Sequence, residues 1–551
     1  MKPARKGPMT STGESSGAAR RRGRPQKLPV DKTPITELGV GVDQRVAWLL
    51  STNRLLAPDP ELARREAFLK VLKEQGVQVD NTRVSRWESG LQAVPGRVVA
   101  TYERVLGRPE GSLVSIAAGL RRSFGTGAAP REPSLSEADL TTGSFEGMLD
   151  AAERGDAGGA MWLRLAEDLH RFDHVFLRKE EWTRLCGRLV DELGVAVGPA
   201  YVRRYEAAAT MLRHRAAQRP MLRAVGSFVV HPDTQVVAPV LNLLTELPDA
   251  PAGELVLRLL ASDDGNQRRA AASVAAYKIA RGHLQPDALP QLESAVLGAL
   301  RRQDPLDGRL DFFDLAVHLP EPSWEQISGG LRTRRAFGMV TQARVTSELV
   351  PHAQTVAIVA ELAATAQAQT PTQHSREPDP MLRRLLREAL LHVHKARRHH
   401  AALVIAASPY APAVAEQCLR LTGHPNDLLA ARAWTVLMRV GHGGREDKVI
   451  RRARTEERPT IRTRALLNVG MARGGLANED AVALADAVVT QQRPAERQAT
   501  LFALGMQGAT ELKTLAEHEN ADLRRAAAWW RERGPAIHDA DVPDVPDVVR
   551  S

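Results

Sequence analysis

Aromatic residues are scarce in this chain, 4% of 551, while alanine and leucine abound. Sheets lean on aromatic and β-branched side chains, so this composition favours closely packed helices. Cysteine is almost missing. Cys186 and Cys418 lie far apart, and neither sits in a C-x-x-C pair. That excludes a disulfide framework and a cysteine zinc site, and leaves two buried thiols in a reducing cytosol. No stretch approaches the roughly eighteen uninterrupted apolar residues of a membrane helix, so no membrane partner is expected. The basic N-terminus lacks an apolar core, which speaks against export. Signatures of catalysis are missing too: no phosphate loop, no H-E-x-x-H, no dinucleotide fingerprint and no nucleophile elbow. We therefore expect a cytoplasmic, nucleoid-associated protein that is not an enzyme and has no catalytic residue, no metal and no cofactor.

The chain is too long for one compact core, so several domains or an extended array are expected. Its net charge is +10 and its pI about 9.9, which points to an acidic partner, nucleic acid first. Arginine outnumbers lysine by roughly six to one, a bias of GC-rich coding that weakens the inference from charge alone.

The informative stretch is Val79 to Ser112. Asp80 is placed to accept from the free N–H of Thr82 or Arg83, opening a short helix that Gly90 ends at a left-handed cap. Val84, Trp87 and Leu91 recur at helical spacing and should face a core. Thr82, Ser85, Arg86 and Ser89 are left outward, a face with hydrogen-bonding groups and a guanidinium but no acid. Glu88 faces inward and is expected to be structural. After Pro95, Val98, Val99, Tyr102, Val105 and Leu106 form an apolar stripe ending at Gly107.

The run Val84-Ser85-Arg86-Trp87-Glu88-Ser89-Gly90, with Pro95, Tyr102-Glu103 and Leu106-Gly107, resembles the helix-turn-helix of Cro/repressor-type (XRE) regulators over about residues 44–118. The resemblance implies a recognition helix in the major groove of duplex DNA. It places Asn81, Thr82 and Arg86 against base edges, and Arg83 and Ser85 near phosphates or neighbouring bases; Ser89 lies on the same face. The segment Ala57–Val79 is longer than the family's usual second helix and turn, which leaves the docking angle open.

Residues 1–40 are rich in Arg, Lys, Gly, Pro and Ser and read as a disordered basic arm. Within it Arg21, Arg22, Gly23, Arg24 and Pro25 resemble an AT-hook, a segment that lies in the minor groove; a solvated basic tail is the other reading. Helices are expected over Gln44–Leu56, with Val46, Leu49, Leu50 and Asn53 inward, and over Glu61–Gln75, with Phe68, Leu69, Val71 and Leu72 apolar.

Internal repetition organises the rest. Pro459-Thr-Ile-Arg462 through Gly470-Met recurs as Pro494-Ala-Glu-Arg497 through Gly505-Met, and Asn266-Gln-Arg268-Arg269-Ala270 is echoed by Asp522-Leu-Arg524-Arg525-Ala526. Each unit has a turn, an arginine-bearing helix start, a small-residue face and often a glycine end. This resembles HEAT-type repeats, whose helix pairs stack into an α-solenoid with long surfaces for protein partners. The arginine pairs read as repeat architecture. Residues 367–380 form a polar loop, and Asp541, Asp544 and Asp547 mark an acidic tail. His392, His394, His399 and His400 form the densest histidine cluster, with His392 and His399 at a spacing that could share one helix face. Lys395, Arg397 and Arg398 would repel a cation there, so a basic helix face against solvent or an acidic surface is expected.

The expected architecture is all-α: a disordered arm (1–40), a helix-turn-helix DNA-binding domain (41–120), a linker (121–137), a HEAT-like repeat domain (138–533) and a disordered acidic tail (534–551). The expected function is a sequence-specific DNA-binding transcriptional regulator whose repeats bind a protein partner or self-associate. The alternative is a repeat scaffold, for instance in a stress or phage-defence complex, tethered to DNA by a weakly specific head. A homodimer on paired half-sites stays open, since no heptad seam enforces it.

Overall fold

A computed structural model of the chain describes residues 28–125, 142–171, 175, 177–301, 306–331, 335–370 and 377–539. Among them there are helices and two isolated β-bridges but no strands. The chain is all-α, an N-terminal helical unit followed by a HEAT-like α-solenoid. No helix among the described residues is long and apolar enough to cross a membrane.

The N-terminal unit comprises α1 (Val42–Leu55), α2 (Pro60–Ala63), α3 (Arg65–Glu74), α4 (Asn81–Glu88), α5 (Gly96–Val105) and α6 (Ser112–Phe124). The second expected helix is thus two: Arg64 takes extended backbone angles and separates α2 from α3. α1 is buried without interruption from Arg45 to Arg54. A helix covered on every side lies between two bodies, and α1 does. Ser51 and Arg54 turn toward α4, where Ser51 Oγ donates to Glu88 O at 3.0 Å. On the opposite side Arg45, Trp48 and Asn53 enter the solenoid. Trp48 Nε1 donates to Asp379 at 2.8 Å and its ring stacks on Tyr410, while Asn53 Nδ2 donates to Ala407 O at 3.0 Å.

The arm is shorter than its composition implied. Residues 28–40 lie along the solenoid as a strap: Asp31 is buried and accepts from Arg45 at 2.8 Å. Arg384 donates to Thr33 O, and Arg397 to Ile35 O at 3.0 Å and Glu37 O at 2.5 Å. Residues 1–27, with the AT-hook-like segment, lie outside the described residues. The expected linker also starts later. α6 continues to Phe124, whose ring meets His400 edge-on, and Arg122 of that helix binds Glu206 at 2.5 Å and also Glu246.

In the solenoid the arginine of each repeat has a structural cause. Arg268, Arg398 and Arg524 all stand at the fourth position of their helices. Each folds back onto the two carbonyls six and five residues earlier: Ser262 and Asp263, His392 and Val393, His518 and Glu519. The guanidinium thereby closes the turn that precedes the helix, whose carbonyls have no helical partner. Arg462 holds the same position and instead reaches Glu496 at 3.3 Å, tying its repeat to the next.

The array closes on itself. Ala536 N donates to Met506 O, and Ile537 exchanges backbone hydrogen bonds with Val195 and Val197 at 3.0 and 3.1 Å. Asp539 binds Arg203 and Arg204, both at 2.9 Å, and accepts from Gly159 N. The last helix, Ala521–Arg533, packs Trp529 against Phe228 and pairs Arg533 with Asp191. Residues 534–539 of the expected tail are therefore part of the fold. Asp541, Asp544 and Asp547 lie outside the described residues.

Candidate nucleic-acid interface

α4 is built as its local sequence dictates. The Asp80 carboxylate accepts from Arg83 N at 2.7 Å, and Gly90 adopts φ +71° just beyond the helix. Val84 and Trp87 are buried. Glu88 is buried as well and anchors the unit: Arg54 grips both its oxygens at 2.6 and 2.7 Å, and Tyr102 Oη donates to it at 3.2 Å. Burial works against the Arg54 guanidinium, but Glu88 more than compensates and holds it above its usual pKa.

The other face of α4 is open. Asn81, Thr82, Arg83 and Arg86 are exposed, and Ser85 and Ser89 half-buried. Arg83 lies over the Trp87 ring at 5.6 Å from its centroid, and Ser89 Oγ donates to Arg86 O at 3.1 Å. Asn81, Thr82, Ser85, Arg86 and Ser89 line one shallow recess with Arg65 and Leu91. The sequence-predicted set, Arg83 apart, thus meets in one place. Arg65 was missed because α3 brings it there from outside the motif. Leu91 corrects an expectation: it is 81% exposed, not core. The left-handed Gly90 redirects the chain, and Leu91 N turns back to Arg86 O at 3.0 Å, so helical spacing no longer applies beyond Glu88. α4 lies on the side of α1 away from the solenoid.

The histidine cluster is not one helix face. His392 ends helix Pro380–Leu391 and His394 precedes helix Lys395–Ala406, so His392 and His399 belong to different elements. Nor is it a surface: Arg397, Arg398 and His400 are buried, and Arg397 binds Glu388 at 2.7 Å. Burial and neighbouring positive charge hold the imidazoles of His392 and His399 well below their usual pKa. Distance alone would let Asp314, His318 and His394 hold a metal ion, since Asp314 Oδ1 lies 3.3 Å from His318 Nε2 and 3.5 Å from His394 Nδ1. Asp314 also accepts from Lys395 N at 2.7 Å, and although burial opposes its ionisation, hydrogen bonds from His318 and His394 and the nearby Arg398 charge hold its carboxyl well below the usual carboxylate range.

No protein-family model matches the chain, and no curated protein matches it. Solved structures with some likeness include an engineered protein, with 12% identity over 71% of this chain and 98% of that one and a TM-score of 0.20. Another comes from work on tubulin recruitment and assembly by microtubule polymerases with TOG domain arrays, with 11% identity, 69% and 99% coverage and a TM-score of 0.22. A third is Kap121p bound to Ste12p, with 13% identity over 89% of this chain and a TM-score of 0.27; the chain spans about half (53%) of that one.

Proposed function

We propose that this protein is a helical-repeat interaction scaffold that docks on duplex DNA through its N-terminal unit, in the manner of an XRE-type helix-turn-helix. The observation that carries the DNA half is the uncovered face of α4, where Asn81, Thr82, Ser85, Arg86 and Ser89 share one recess clear of the solenoid. An arginine and short amides or hydroxyls are the groups that pair with base edges, and Arg83 and Arg65 flank them as phosphate contacts. The protein acts by binding, not by turnover.

The scaffold half rests on how the unit is mounted. Buried contacts from α1 and the strap fix it to the solenoid, so DNA and a protein partner would be held by one body. A sequence-specific transcriptional regulator, alone or as a homodimer, is the narrower form of this reading.

Selection of bound duplexes from a random library tests both. A defined motif, with Arg86→Ala losing about 1–3 kcal/mol of discrimination at one position, supports specific readout. Binding without a motif, still abolished by Arg65→Ala with Arg86→Ala, supports the scaffold. Binding untouched by substitutions on α4 would remove the interface.

A further inference from the structure

Between the N-terminal unit and the solenoid the molecule encloses a cavity. Its envelope is about 1290 Å³ including the mouth, of which about 210 Å³ admits the centre of a water molecule. α6, the strap residues Leu38 and Gly39, and helices Gly198–Met211, Gly265–Ala280 and Lys395–Ala406 form its walls. Two features of the lining are unusual. The whole chain has only five tyrosines, yet Tyr201, Tyr205 and Tyr277 all border this space, with Phe124 beside them.

The second feature is charge. The walls carry Arg122, Arg281, Lys395, Arg397 and Arg439 against Glu206, Glu246 and Asp314. Those acids are engaged: Arg122 takes Glu206 and Glu246, Tyr205 Oη adds a bond to Glu246 at 3.0 Å, and Asp314 meets Lys395 N and two histidines. Three of these cations are left without an ion pair among the described residues: Arg281, which donates to Ser123 O and lies over the Tyr277 ring at 4.5 Å, and the neighbouring Lys395 and Arg439. Lys395 Nζ has the Ser273 hydroxyl at 2.6 Å, and Arg439 has the face of Tyr201 at 5.7 Å. Burial pushes both below their usual pKa, and each contributes to lowering the other groups nearby, His399 included. Half-buried cations that form no ion pair leave donors free for an incoming anion, and a concave, partly apolar space with a few convergent polar groups is the usual form of a small-molecule site.

We propose that this cavity binds a small organic anion bearing a planar ring, with its carboxylate, phosphate or sulfonate at Lys395 and Arg439 and its ring among the tyrosines. The occupant would touch α6 and the solenoid at once. The claim does not depend on what α4 binds.

Titration of the full-length protein with anilinonaphthalene sulfonate tests it, with uncharged phenylnaphthylamine as the ring without the anion and inorganic phosphate as the anion without the ring. We expect one saturable site per chain for the sulfonate and binding at least about tenfold weaker for each half-probe. Arg439→Gln and Lys395→Met should each weaken the sulfonate about tenfold, and Tyr277→Leu should weaken both ring probes. Arg451→Ala, on an exposed outer position, serves as the control and should change nothing. Lys395 and Arg439 are half-buried and neither forms an ion pair, so the melting temperature of the free protein should change little with either substitution, which separates lost binding from lost fold. Equal affinity for charged and uncharged rings, or sulfonate binding indifferent to Arg439→Gln and Lys395→Met, would overturn the proposal.

Discussion

Glu388 shows how much one carboxylate organises. It is fully buried and accepts from Arg45 at 2.7 and 2.8 Å, Arg397 at 2.7 Å and Arg384 at 3.0 Å, joining α1, the strap's neighbour Arg384 and the histidine-rich helix. Burial alone would raise its pKa, but the three guanidiniums hold it below the usual carboxylate range, as Arg45 and Arg384 do for Asp31. A carboxyl whose folded pKa lies below its unfolded value stabilises the fold above that unfolded value and loses the contribution as acid protonates it. Stability from this cluster should therefore be level above about pH 4.5 and fall below it. Glu388→Gln leaves buried guanidiniums without a partner and should cost about 3–5 kcal/mol at neutral pH. The same variant should flatten the acid-side decline. Urea midpoints at pH 7 and pH 4 check both expectations; an unchanged midpoint at pH 7 would show the cluster to be incidental.

Among the elements, the repeat glycines carry a meaning that spacing hides. They read as helix ends, and Gly470 and Gly505 do stand at the ends of Pro459–Gly470 and Pro494–Met506. Their use is space. A Cβ on Gly470 would come within 2.5 Å of the Phe502 ring, and one on Gly505 within 2.0 Å of Trp530, so each glycine seats the next repeat's aromatic side chain on bare backbone. Gly298, inside Leu289–Arg301, has nothing within 4 Å. The same substitution should thus have opposite signs. Gly505→Ala should destabilise by about 1–3 kcal/mol through overpacking, whereas Gly298→Ala should stabilise by up to roughly 1 kcal/mol through helix propensity. Thermal denaturation decides, and two shifts of the same sign would show that seating is unimportant.

At the scale of the whole molecule, closure is the distinctive feature. Asp539 connects the end of the described chain to Arg203 and Arg204, far back along the array. Burial opposes its ionisation, but the two arginines keep its pKa below the usual value. Asp539→Ala should loosen the junction, leaving Arg204 with Glu192 at 2.9 Å but Arg203 without its ion pair. Hydrogen exchange should accelerate by about ten- to a hundredfold in helices Gly198–Met211 and Ala521–Arg533, equivalent to a local loss of roughly 1–3 kcal/mol. Helix Leu289–Arg301 should keep its rate. Unchanged exchange at Gly198–Met211 would mean that the ring is closed by other contacts.

What the sequence determined by itself is local. Asp80 and Gly90 bound α4 because capping and left-handed geometry involve only near neighbours, and Trp87 and Glu88 turn inward because helical period places them there. The all-α class and the recurring arginines follow from composition and repetition for the same reason. Tertiary structure alone decided the rest. Arg45 and Glu388 are 343 residues apart, and no periodicity reports a partner at that distance. It is those distant partners that bury α1 on two sides, order the strap, draw the histidine-rich segment into the interior and bring three tyrosines around one cavity. Leu91 marks the boundary between the two: one positive φ at Gly90 was enough to carry it from an expected core into solvent.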